Sequence, residues 1–129
     1  MAIEVFDNND YRGDESLILT LDKSKRIYLS KPVQRFFGVE DKKKHLKCYL
    51  GYDSVNHRIA IAKTDVVKIP GKRPVVFGDF KFVSARRFIE RFKIDISKAP
   101  IHYQYVGQEG DWYCFQEVGY QAPDLEDIN

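Results

Sequence analysis

The chain has 129 residues, 43% of them hydrophobic, which is enough to bury the core of one ordinary domain or of two very small ones. Aromatic residues reach 14% and only one methionine is present, a balance that favours strands over a helical bundle. No apolar run approaches the roughly 20 residues of a membrane span, and the N-terminus lacks the basic and apolar regions of a signal peptide. We therefore expect a cytoplasmic protein with no membrane contact and with reduced thiols.

The net charge of +2 conceals an uneven distribution along the chain. Residues 1–16 carry five acids and one base, and residues 107–129 carry six acids and no base. Residues 22–47 hold nine bases and three acids, and residues 79–98 hold six bases and three acids. A basic centre between acidic ends is the pattern expected of a surface that meets phosphate groups.

After the acidic segment 1–16, residues 17–68 predict a first structural unit. Ile27 and Leu29 alternate with polar residues as in a strand, and apolar residues at helical spacing follow them. Two further strand-like runs then flank a polar turn. The expected order of elements is strand, short helix, strand, turn, strand.

Residues 76–120 predict a second, divergent unit with the same order of elements. Phe80 and Phe82 alternate as in a strand, and Ser84 is placed to cap the helix that follows. A unit with three short strands and one short helix cannot bury its sheet alone. We therefore expect the two units to form one pseudo-twofold body.

Two segments outside these units have their own composition. Residues 69–75 predict a linker, because they contain a Pro-Gly turn signal. Residues 121–129 form an acidic tail that we expect to be loose.

The aromatic residues divide into two groups. Phenylalanines at helical spacing are expected in the core, because such a stripe packs inward far more often than it stacks on bases: Phe36, Phe37, Phe88 and Phe92. Strand alternation leaves either Trp112 or Tyr113 on the outer face, where it would indicate a protein-contact surface.

Catalytic and metal-binding patterns are absent from the sequence. His45, His57 and His102 stand at no standard zinc-ligand spacing from the two cysteines, and no phosphate loop or nucleophile motif occurs. Cys48 and Cys114 lie in strand-like runs, where a cysteine is usually a small buried hydrophobe. We predict a protein that is not an enzyme and has no cofactor or metal.

The first unit carries a sequence pattern that resembles a known family. The pattern consists of an Asp, an Arg four residues later, an alternating strand, a short helix and a Gly before a hairpin, and it falls on Asp22, Arg26, Ile27, Leu29, Val33, Arg35, Phe37, Gly38 and Val39. It is similar to the swapped-hairpin DNA-binding domain of the AbrB family of bacterial transition-state regulators, and to the related MraZ regulators. Ser30 stands where the family has a Pro, and Gln34 stands at one of its basic positions.

The resemblance implies a fold that is mainly β with short helices (α+β). In it, tandem AbrB-like swapped-hairpin β-barrel units form a pseudo-twofold body. The second unit lacks the Asp-x-x-x-Arg element and offers arginines in its helix instead.

The resemblance also implies a transcriptional regulator that contacts double-stranded DNA through a basic face. Arg26 and Arg35 are the first candidates, and Asp22 would orient Arg26 by a paired hydrogen bond. The full set of candidate DNA-binding residues is Lys23, Lys25, Arg26, Lys31, Arg35, Lys42, Lys43, Lys44, Arg86, Arg87 and Arg91. Two alternatives stay open: an Asp22–Arg26 pair with a purely local role, and a solvated turn at residues 42–44.

A competing hypothesis is a protein-interaction module that keeps this fold. Such a module, antitoxin-like or an inhibitor of a host factor, would bind a protein partner through its acidic termini or exposed aromatic residues. MazE-type antitoxins resemble this case, although the acidic tail here is short for that role. A second copy of the chain is a further candidate partner.

Overall fold

The computed structural model describes residues 16–123 of the chain. The fold is mainly β with short helices, as the sequence predicted, and residues 16–123 form eight antiparallel strands and two helices. Each half has one strand more than the predicted order, at its start. The first half of the chain forms β1 (Ile18–Leu21), β2 (Arg26–Leu29), α1 (Lys31–Phe36), β3 (Leu46–Asp53) and β4 (Arg58–Lys63). The second half forms β5 (Val75–Phe77), β6 (Phe82–Ser84), α2 (Arg86–Phe92), β7 (Ile101–Glu109) and β8 (Trp112–Glu117).

The strands form one sheet in the order β5-β3-β4-β8-β7-β1-β2-β6. β5 and β6, at the two ends of this order, contact each other and nearly close the sheet into a barrel. Strands from the two halves of the chain are interleaved, because β1 pairs with β7 and β3 pairs with β5. The β2–β6 pair therefore lies on the side of the barrel opposite the β4–β8 pair.

Alternation along the strands fills a single core inside the barrel. Leu19, Ile27, Tyr103 and Phe115 come from four different strands, and each is fully buried. Burying a side chain of this size contributes about 1.5–3 kcal/mol, so these inward rows supply most of the driving force for closing the sheet. The cysteines are free and buried, which confirms the prediction for them.

The backbone conformation at the end of each helix limits its length. α1 starts at Ser30, whose Oγ accepts a hydrogen bond from the backbone N–H of Val33 at 3.4 Å. Gly38 then takes a left-handed φ of 71° and turns the chain away from the helix. α2 ends at Lys93, which has a left-handed φ of 53°.

The prediction that Ser84 caps α2 is wrong. Ser84 is the last residue of β6, and Ala85 occupies the cap position without a side-chain hydrogen bond. Ser84 is paired with Arg26 across the β2–β6 ladder, which holds its backbone extended. Sheet pairing has outweighed the local capping preference of serine.

The helical phenylalanines lie largely where the sequence predicted. Phe37 is buried, and Phe88 and Phe92 are half-buried. Phe36 departs from the prediction, because it is 43% exposed. Its ring packs edge-on against Tyr113, with ring centroids 5.4 Å apart.

Trp112 and the start of the tail are both packed against the barrel. Trp112 is half-buried and covers Gly51, where a Cβ atom would lie 3.2 Å from the indole. Ala122 is 1% exposed, so the expected loose tail is packed at its beginning. Most of the acidic N-terminal segment and the acidic residues of the tail lie outside the described residues.

Candidate functional site

The outer surface of the β2–β6 pair combines a cation with two aromatic rings. Ile27 and Val83 point into the core, so their neighbours Arg26, Tyr28 and Phe82 face outward. Tyr28 stands opposite Phe82, and their ring centroids are 5.1 Å apart. The guanidinium of Arg26 lies 5.1 Å from the Tyr28 ring and 5.0 Å from the Phe82 ring, within the range of a cation–π contact.

Asp22 holds the turn that leads into this surface, which we call turn 1 (residues 22–25). Its Oδ1 accepts hydrogen bonds from the backbone N–H groups of Ser24 at 2.9 Å and Arg26 at 3.0 Å. Its Oδ2 accepts a hydrogen bond from Arg26 Nε at 3.1 Å, which confirms the predicted pairing. The pair is local in geometry, yet the Arg26 side chain remains 37% exposed and open to a ligand.

The first helix residues of the second half stand directly beside turn 1. The backbone N–H of Ala85 donates a hydrogen bond to the carbonyl oxygen of Lys25 at 2.8 Å, so α2 begins there. This contact brings five of the predicted DNA-binding residues to one end of the β2–β6 pair. We name them basic group 1: Lys23, Lys25, Arg26, Arg86 and Arg87. Arg91 is exposed one helical turn further along α2.

A second turn (turn 2, residues 78–81) stands at the other end of the same strand pair. The backbone N–H of Leu29 donates a hydrogen bond to the carbonyl oxygen of Lys81 at 3.0 Å, just before α1 begins. Lys81 is only 4% exposed, and its ammonium donates hydrogen bonds to the carbonyl oxygens of Asp41, at 2.8 Å, and of Lys44. This anchor holds the 41–44 loop against turn 2.

The anchored loop completes a second cluster of predicted residues, basic group 2. Its members are all exposed: Lys31, Lys42, Lys43 and Lys44. Arg35 is exposed one turn further along α1 and forms an ion pair with Glu40 at 2.9 Å. The eleven predicted residues thus lie at or near the two ends of one strand pair.

Asp79 braces turn 2 from the other side. Its carboxylate contacts the His45 ring and lies 4.0 Å from the Lys43 ammonium. The hydrogen bond from His45, and then the charge of Lys43, lower the pKa of Asp79 below its usual range. The carboxylate is therefore ionised, and it offsets part of the positive charge at this end.

Four residues of this surface were not predicted from the sequence: Tyr28, Phe80, Lys81 and Phe82. The prediction that Phe80 belongs to a strand is wrong, because it lies in turn 2 and is 72% exposed. The Gly78–Asp79 pair was the available signal, since Gly-Asp sequences favour turns. No sequence pattern marks Lys81, whose role depends on a loop that lies far away along the chain.

A cavity of about 550 Å³ lies elsewhere, beside the β3–β4 turn. On its wall, His57 stacks on Tyr120 at 3.6 Å, and its Nδ1 lies 3.0 Å from Glu117 Oε1. Tyr52 also lines the cavity, where burial and the nearby Glu117 charge raise its pKa to about 12. The histidine and glutamate here fasten the chain after β8 to the β3–β4 turn.

Residues 16–123 contain no group of three or more His, Cys, Asp or Glu side chains arranged to hold a metal ion. Within the same range, neither helix has the length and apolar character needed to cross a membrane. Comparison of the chain with family models, curated proteins and solved structures found no match.

Proposed function

We propose that the chain is a DNA-binding transcriptional regulator of the AbrB-like type, which contacts duplex DNA through the β2–β6 surface. The observation that carries the proposal is the position of basic groups 1 and 2 at the two ends of one exposed strand pair. Cations separated along a surface in this way match the repeating phosphates of a duplex. Arg26, the member of basic group 1 that lies on β2, is the residue we expect at the base edges.

The spacing of the two groups suits a groove of the double helix. Turn 1 ends at Lys25, directly before β2, and turn 2 is hydrogen-bonded to Leu29, the last residue of β2, so the four residues of β2 lie between the two turns. At the rise of a β-strand this separation is about 13 Å. A surface of this length lets the two groups reach phosphates on opposite sides of one groove.

We further propose that the two halves are tandem swapped-hairpin units. Matched backbone hydrogen bonds support this: Ala85 to Lys25 and Leu29 to Lys81 around the turns, and Val39 to Gln34 and Ile94 to Ile89 after the helices. Lys25 and Lys81 share a left-handed conformation, with φ of 61° and 59°. The exchanged pairings β1–β7 and β3–β5 are those expected when each unit takes a strand from the other.

A titration with a short fluorescent duplex tests the DNA-binding proposal. Anisotropy is measured at about 50 and 200 mM salt, and a loss of affinity of at least about a hundredfold between them is expected for several phosphate contacts. A double variant, Arg87→Glu with Lys44→Glu, reverses one exposed charge in each basic group. We expect it to bind at least about tenfold more weakly at low salt.

The matched control is Lys68→Glu with Lys72→Glu, which changes the net charge equally at two exposed positions between β4 and β5. We chose Arg87 and Lys44 over Arg26 and Arg35 because the latter are ion-paired, and their reversal would also disturb the fold. Equal weakening by both double variants would contradict a localised interface.

The competing hypothesis of a protein-interaction module predicts the opposite outcome in this titration. Under that hypothesis, the wild-type chain binds no duplex at low salt. An antitoxin-like or inhibitor function would then be tested by partner binding, which the Arg87→Glu, Lys44→Glu variant should leave unchanged.

A further inference from the structure

We propose that Phe80 inserts between adjacent base pairs of the bound duplex and bends it at one end of the β2–β6 surface. The inference rests on the proposed DNA-binding function. Phe80 is the most exposed large hydrophobic side chain among residues 16–123, at 72%. Proteins that bend DNA from the minor groove commonly insert an apolar wedge of this kind between base steps and use basic side chains beside it.

The turn that carries Phe80 is braced on both sides. The backbone N–H of Lys81 donates to the carbonyl oxygen of Gly78 at 3.0 Å, which closes the turn. The Lys81 ammonium is anchored in the 41–44 loop, and Asp79 is held by His45. An exposed side chain on a fixed turn loses little conformational entropy on binding, so the wedge is preorganised.

The charges around Phe80 favour a nucleic acid as its partner. Lys42 Nζ lies 5.4 Å from the ring centroid, and Lys43 and Lys44 follow in the loop held against the same turn. A ring surrounded by cations suits a site where phosphates flank an opened base step. Turn 2 also contains the acidic residue Asp79, but its carboxylate contacts His45 and lies near the Lys43 ammonium.

The packing of the neighbouring rings favours insertion into a duplex over stacking on single-stranded bases. A single-strand site needs several free rings in succession along the backbone path. Tyr28 and Phe82 pack against each other beneath the guanidinium of Arg26, so neither offers a free face of that kind. Phe80 stands apart from them as a single wedge.

The wedge is present at one end only. Lys25 and Lys81 occupy matching positions in turns 1 and 2, so the counterpart of Phe80 in turn 1 is Ser24. The bend should therefore occur once per chain, next to basic group 2, and mark one side of an otherwise pseudo-twofold surface.

The test uses a short duplex with a donor and an acceptor dye at its ends, titrated with the full-length chain. Energy transfer reports bending, and anisotropy reports binding. Wild type is expected to raise energy transfer on binding. Phe80→Ala should bind about tenfold more weakly, abolish the rise, and keep the salt dependence, since it removes no phosphate contact. Val66→Ala, an exposed apolar residue after β4, is the matched control and should behave as wild type.

Phe80→Leu keeps an apolar wedge and should retain most of the bend. Its thermal midpoint and that of Phe80→Ala are measured first, and both should equal wild type because the side chain is exposed. If wild type binds no duplex, the proposed function fails. If wild type binds, two results would overturn the wedge: equal bending of the duplex by Phe80→Ala, or tighter binding of the single strand than of the duplex. Neither result would overturn the DNA-binding proposal.

Discussion

The ammonium of Lys81 donates a hydrogen bond to the backbone carbonyl oxygen of Asp41 at 2.8 Å, across a large separation in sequence. A second bond reaches the carbonyl oxygen of Lys44, so one buried cation fixes the shape of the whole 41–44 loop. The exposed lysines of that loop then project from a defined position. Within residues 16–123 the hydrogen bonds of this buried ammonium go to backbone carbonyl oxygens, and losing them would leave a buried charge without compensation.

We expect Lys81→Met to lower the free energy of unfolding by about 1–3 kcal/mol, because it leaves two carbonyl oxygens without their charged donor. Urea denaturation followed by Trp112 fluorescence measures the change. Lys44→Met is the control, because the loop's hydrogen bonds use only backbone groups of that residue, and it should stay within about 0.5 kcal/mol of wild type. A Lys81→Met variant as stable as wild type would mean that the anchor contributes nothing.

The Asp22–Arg26 pair should be unequal in its effect on stability. Asp22 accepts hydrogen bonds from the backbone N–H groups of Ser24 and Arg26 besides the one from the Arg26 side chain, and its own side chain is 19% exposed. We expect Asp22→Ala to lower the unfolding free energy by about 1–2 kcal/mol, and Arg26→Ala by less than about 1 kcal/mol. The same urea titration measures both. Equal losses of unfolding free energy would show that Asp22 stabilises the fold through its ion pair with Arg26 and not through its hydrogen bonds to the backbone of turn 1.

The sequence predicted this local pair correctly because all of its determinants lie within five residues. It also predicted a mainly β fold and the burial of Phe37, since alternation and helical spacing are local patterns. It missed β1 and β5, which join the sheet by pairing with β7 and β3 from the other half of the chain. Ser84 and Phe80 were misassigned for a single reason. Their conformations depend on pairing with β2 and on the 41–44 loop, and neither of these partners is visible in the residues beside them.

In the candidate site, too, one part was predictable from local sequence and another part was not. The basic residues were identifiable from composition, whereas their arrangement at two ends of one strand pair depends on β2 lying beside β6. That pairing joins the two halves of the chain, and single-sequence patterns do not specify such contacts.

Asp79 makes stability depend on acid pH in a defined direction. Its folded pKa lies below the ordinary aspartate value, so the ionised form stabilises the fold above about pH 3.9. This contribution is lost as the pH falls through the lower, folded pKa. Asp79→Asn should therefore melt at a lower temperature than wild type near pH 6, and the difference should close in strong acid. Asp111→Asn, in the exposed β7–β8 turn, is the control. A difference that stays constant down to strong acid would contradict the mechanism.

Cys48 should be chemically inert in the folded protein. Burial raises the pKa of its thiol to about 12, so almost no thiolate exists at neutral pH. In a Cys114→Ala variant, which leaves Cys48 as the single thiol, we expect an aromatic disulfide reagent at pH 8 to react at least about a hundredfold more slowly than after unfolding in guanidinium. Fast labelling of the native protein would mean that the barrel opens readily between its strands.

Lys25 and Lys81 share a left-handed backbone but should respond oppositely to glycine. A non-glycine residue in this conformation carries a strain of about 1–2 kcal/mol, so Lys25→Gly should unfold with a free energy equal to or above that of wild type. Lys81→Gly relieves the same strain and loses the anchor, and it should be less stable. In the DNA titration, Lys25→Gly should reduce the slope of log affinity against log salt by about one, as expected for one lost phosphate contact. An unchanged slope in this stably folded variant would place Lys25 outside the interface, and basic group 1 would then consist of Lys23, Arg26, Arg86 and Arg87.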